Sequence, residues 1–96
     1  MERAIAADIE QIVADEPPVE LVITLRKPVD LGSITYTQLV LREPTAAEWQ
    51  QWNKLEGVEG DIAAVSIVSG VPRPAIEKIG TRDLMAAARY IARFLD

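Results

Sequence analysis

The chain has 96 residues, 49% of them apolar, with 15 acidic and 10 basic side chains and a net charge of -5. That length suits one small domain, which buries only about two thirds of its unfolded surface and therefore gains stability by associating with a partner or another copy. The acidic balance speaks against general affinity for nucleic acid or anionic lipid, which needs a basic surface, and the lack of cysteine and histidine removes disulfides, thiolate metal sites and the commonest general base.

The apolar runs are a few residues long, too short to span a membrane. The opening MERAIAADIEQ carries acids where a secretory leader needs a basic start and an apolar centre. A cytoplasmic protein is the expectation.

Residues 1–18 read as an N-terminal helix and a proline-rich break. Over 3–14, Ile5, Ile9 and Ile12 form one stripe, and Asp15-Glu16-Pro17-Pro18 stops the helix because proline cannot continue it. Residues 19–42 read as a β-hairpin. In 19–26, Leu21, Ile23 and Leu25 alternate with Glu20, Thr24 and Arg26, the pattern of a half-buried strand. Residues 27–33 supply turn types, and 34–42 form a second strand rich in β-branched and aromatic residues. Its phase slips between Ile34/Tyr36 and Leu39/Leu41, so a bulge is expected near Thr37-Gln38. A lone hairpin is marginal in water; this one must lie on the helices or pair with another copy.

Residues 45–96 read as a helical unit. Thr45 and Glu48 have the spacing of a capping box, opening a helix that runs through Trp49 and Trp52 to about Leu55 and ends in the Gly57–Gly60 stretch. Asp61 is expected to cap the next helix, Gly70-Val71-Pro72 to break it, and Thr81 to cap a last helix over 82–95. The whole is α+β: an N-terminal helix, a β-hairpin, then a small bundle of about four helices in a single domain, 1–96.

Reacting groups are hard to assemble from this chain. Ser66 and Ser69 lack both a nucleophile-elbow glycine pattern and an activating histidine. Glu56, Glu59 and Asp61 cluster without the spacing of a calcium loop, and acidic loops of this kind are usually just solvated. The two helices across Gly70 resemble a helix-turn-helix, with Arg73 opening the second, but Arg73 and Lys78 are few cations to hold phosphates, and an αα-corner packed for stability reads as well.

Partner contact is the remaining reading. Trp49 and Trp52, at i and i+3, share a helix face; one belongs in the core and the other is open to a partner. The last helix sets Arg82, Arg89 and Arg93 along one side. Its other side carries Leu84, Ala87, Ala88, Tyr90, Ile91, Phe94 and Leu95, a face wider than one neighbour covers. Either the arginines are a solvated stripe over a core face, or this helix also meets a second subunit or client. The candidate contact residues are thus Trp49, Trp52, Arg82, Arg89, Tyr90, Arg93 and Phe94.

The ordered pieces ELVITLRKPV, ITYTQLVLREPT, SGVPRPAIEKI and an Asp83-opened helix ending ARYIARFLD resemble, over roughly residues 19–96, the small tail assembly chaperones of contractile and related long-tailed bacteriophages and prophages. That resemblance implies a non-enzymatic role without cofactors: holding the tape measure protein reversibly in the bacterial host cytoplasm while the tail tube grows, with self-association common. Such a chaperone would be missing from the mature virion. A helix-turn-helix regulator of a phage or prophage and a minor structural tail or connector subunit are the alternatives.

Overall fold

The computed structural model describes residues 16–96; the helix expected over 3–14 lies outside the described residues. Among those described, an antiparallel hairpin of β1 (Glu20–Leu31) and β2 (Ile34–Arg42) precedes four helices: α1 (Ala46–Gln50), α2 (Gly57–Ser69), α3 (Arg73–Ile76) and α4 (Thr81–Ala92).

The hairpin is regular from Glu20↔Arg42 to Thr24↔Gln38 and again from Val29↔Tyr36 to Leu31↔Ile34. Between these stretches Leu25, Arg26, Lys27 and Pro28 stand against Thr37 alone. The irregularity is therefore at the expected height, but the surplus residues lie in β1 rather than in β2. Pro28 has no N–H to give to a ladder, which favours looping out that strand. Pairing then resumes, so the turn expected over 27–33 shrinks to Gly32-Ser33. Gly32, at φ 63, supplies the positive φ that a two-residue hairpin loop needs at its first central position.

One hairpin face carries Leu25, Val29, Leu39 and Leu41 into the core, with Leu21 and Ile23 packed at its margin. The helices complete that core with Trp52, Val65, Val68, Ala75, Ile76, Leu84, Ala87, Tyr90 and Ile91. The other hairpin face leaves the cross-strand pair Val22 and Val40 exposed.

Two helix starts differ from expectation. The Gly57–Gly60 stretch forms the first turn of α2 instead of a break, with Glu56 as N-cap and Asp61 inside the helix. A Cβ on Gly60 would stand 2.9 Å from the carbonyl oxygen of Leu55, so this glycine permits α2 to begin against the preceding turn. Gly80 is the N-cap of α4, and Thr81 its first helical residue. Residues 51–55 continue α1 as tight turns, Asn53 N–H reaching Trp49 O at 2.9 Å and Leu55 N–H reaching Trp52 O at 2.9 Å.

Asp83 ties the hairpin irregularity to α4. Its Oδ2 accepts a hydrogen bond from the Arg26 N–H at 3.0 Å, and its Oδ1 lies 3.6 Å from Arg26 Nε. Arg26 has no cross-strand partner, so its N–H needs an acceptor elsewhere. The carboxylate that supplies it is only 5% exposed. At the far end of the strand, the Tyr90 hydroxyl donates to the Pro18 carbonyl at 2.5 Å. Helix α4 thus holds β1 at Arg26 and the chain just ahead of the strand at Pro18.

Candidate partner-binding site

The short helix α1 is placed by electrostatics more than by burial, since none of its five residues is buried. Thr45 Oγ1 accepts from Glu48 N–H at 3.1 Å and Glu48 Oε1 accepts from Thr45 N–H at 2.9 Å, the reciprocal box expected from the spacing. Arg42, ending β2, adds two parallel hydrogen bonds of 2.8 Å to the same carboxylate. The Arg42 guanidinium, then the Thr45 N–H, hold the Glu48 carboxyl at about 2, well below its ordinary value. Sequence reasoning found the box but not the arginine, because only the strand-to-helix corner brings residue 42 onto residue 48.

This anchoring fixes the direction of the two tryptophans. Trp52 is 6% exposed and belongs to the core, while Trp49 is 43% exposed. Trp49 forms one wall of a hollow of about 210 Å³; Ala88, Ala92 and Leu95 form another, with Gly60 and Ala64 among the residues around it. Positions 88, 92 and 95 recur at helical spacing, so they form one stripe of the terminal helix and its last turn. Leu95 is 44% exposed although it borders this hollow. Small side chains on α2 and α4 leave the space, and the indole beside it stays uncovered.

The structure brings together part of the expected contact set. Trp49 and the far end of the last helix meet at the hollow, which the buried Trp52 also lines, while Tyr90 is a core residue that borders neither it nor the hollow beside Phe94. Phe94 is half-buried and packs edge-to-face on Tyr90, ring centres 5.2 Å apart at 84°. With Arg93 it borders a second hollow of about 370 Å³ whose other side is Pro17, Val19 and Glu43. Arg82 and Arg89 are exposed and border neither hollow. Ala92 was not singled out in the sequence; its i+4 spacing from Ala88 is the signal that finds it.

The other candidate chemistries have structural occupations. Ser66 Oγ donates to Val71 O at 2.7 Å, and Ser69 Oγ accepts from Val71 N–H at 3.2 Å, so both hydroxyls close the turn after α2. Helix α3 is a single turn with Ala75 and Ile76 buried, short for a recognition helix lying in a DNA groove. Among the described residues no three His, Cys, Asp or Glu side chains converge as a metal site would require, and no helix is long and apolar enough to cross a membrane.

What this surface offers is a shaped recess of mainly apolar lining on a small α+β domain. A family model described as "Phage tail assembly chaperone proteins, E, or 41 or 14" matches residues 22–96, and the chain belongs to that family. The match runs from the first strand to the last residue. No curated protein and no solved structure matches.

Proposed function

We propose that this chain is a non-enzymatic chaperone that holds the tape measure protein reversibly during tail assembly in the host cytoplasm, and is released before the virion is complete. The observation that carries this reading is the hollow between Trp49 and the Ala88/Ala92/Leu95 stripe, an uncovered recess lined mainly by apolar residues, with Asn53 and Asp61 at it, in a member of the tail assembly chaperone family. A recess of this kind suits the apolar face of a client helix, in the helix-in-groove manner. Only one large aromatic, Trp49, is presented there with nearly half its surface exposed. A single anchor of that kind gives a modest grip per copy, and several copies along a long client multiply it while each contact stays reversible.

Co-expression with the tape measure protein tests the reading. The wild-type chain should keep the client in the supernatant and copurify with it. Ala92→Arg places a charge in the recess from an exposed position, so the variant should fold by circular dichroism yet bind about tenfold more weakly or worse. Recovery of the wild-type chain alone, with the client still aggregating, would overturn the functional reading. Unchanged binding by a folded Ala92→Arg variant would move the site elsewhere.

A further inference from the structure

We propose that the outer edge of β1 is a self-recognition surface, on which a second copy of this chain pairs antiparallel about a two-fold axis through Ile23. This inference does not depend on the client or on the Trp49 recess. A two-stranded sheet leaves each strand with an unpaired edge of backbone N–H and C=O groups, a template for further strands. In residues 20–24 of β1, the backbone makes no hydrogen bond to the described residues beyond the ladder to β2, and α4 reaches the chain only at Pro18, ahead of the strand, and at Arg26. Leu21 and Ile23 sit at the core margin only partly covered, as positions do where a sheet stops short of its natural width.

The occupant follows from the sequence of that edge. Glu20-Leu21-Val22-Ile23-Thr24-Leu25-Arg26 is self-complementary when reversed on itself. About Ile23, the pairing sets Val22 opposite Thr24, Leu21 opposite Leu25 and Glu20 opposite Arg26, each twice by symmetry. Leucines meet on the core face, β-branched side chains meet on the outer face, and opposite charges close both ends. The Arg26 side chain is 65% exposed and can meet a second carboxylate while its N–H stays on Asp83. Arg42, the cross-strand neighbour of Glu20, is already committed to Glu48. The product is a continuous four-stranded sheet, β2-β1-β1-β2, with the partly covered leucine and isoleucine buried at its centre.

Charge exchange between two chains supplies the test, read by analytical ultracentrifugation at low salt. Glu20→Arg alone and Arg26→Glu alone each place like charges opposite one another twice in a homodimer, and each should weaken dimerisation about tenfold or more. An equimolar mixture restores both opposite-charge pairs in the heterodimer and should recover the wild-type mass. Because the wild-type chain has no cysteine, Ile23→Cys gives an independent readout. A short thiol–thiol crosslinker should capture it as a dimer, while Ile34→Cys at the hairpin turn stays monomeric. A monomeric wild-type chain, equal crosslinking at positions 23 and 34, or dimerisation indifferent to all the charge changes would overturn the proposal.

Discussion

Asp83 holds a position from which the fold can be dissected one interaction at a time. Asp83→Ala removes the acceptor for the part-buried Arg26 N–H, which then has no protein partner. An unsatisfied donor of this kind costs about 1–3 kcal/mol. The ion pair adds little, because the Arg26 side chain is 65% exposed and its Nε lies 3.6 Å away; exposed pairs contribute about 0–1 kcal/mol. Asp83 also lies in the first turn of α4, where a negative charge contributes a further ~0.5 kcal/mol. The sum is about 1.5–4.5 kcal/mol, a fall in Tm of roughly 6 °C or more for a domain of this size. Arg26→Ala keeps its backbone N–H and loses only the guanidinium, so it should cost under about 1 kcal/mol. Asp83→Asn keeps an acceptor oxygen and should fall between the two. Urea denaturation followed by circular dichroism ranks the three variants. Equal losses for Arg26→Ala and Asp83→Ala would refute the claim that the backbone hydrogen bond, rather than the ion pair, joins the irregular strand to α4.

Other expectations follow from single contacts. Gly60→Ala should lower the unfolding free energy by about 1–3 kcal/mol instead of giving the usual helix gain of about 1 kcal/mol, because the new methyl group meets the Leu55 carbonyl oxygen at 2.9 Å; the denaturation midpoint reads the loss. The folded value of the Glu48 carboxyl, about 2, lies below its ordinary 4.5, so its stabilisation is present while the unfolded state is ionised and is lost as pH falls through the folded value. With the Arg42 side chain 48% exposed, that contribution is about 1 kcal/mol. The stability difference between wild type and Glu48→Gln should therefore hold above about pH 5 and shrink toward pH 2. Trp49→Ala, at an exposed position, should change stability by less than about 1 kcal/mol while sharply reducing copurification of the tape measure protein.

Local rules carried the sequence reading far and failed where distant parts meet. The capping box at Thr45 and Glu48, the existence of a hairpin and the four helices after it depend on spacings within a few residues and stand as expected, while the hairpin turn and two helix starts shifted. The position of the strand irregularity was legible from the phase slip in β2, but the strand that loops was not. That choice depends on Pro28 and on Asp83, a residue 57 positions from its partner Arg26. The glycines at 57 and 60 looked like a helix break because glycine is a poor helix former; the closeness of Leu55 to Gly60, visible only in three dimensions, reverses the sign. Of the expected contact residues, periodicity placed Trp49 and Trp52 on one helix but could not say which indole the core would take. The recess became legible only once α1 was seen beside the end of α4.

The chain contains two tryptophans, both lining the recess but only Trp49 substantially exposed, so a fluorescence titration tests the central claim most directly. In a Trp52→Phe variant verified as folded, Trp49 is the sole reporter, and tape measure protein segments lacking tryptophan can be added to it. The account predicts a saturable blue shift as the client covers the Trp49 indole, abolished by Ala92→Arg. A complex that forms, by sedimentation, without any change in Trp49 emission would contradict it.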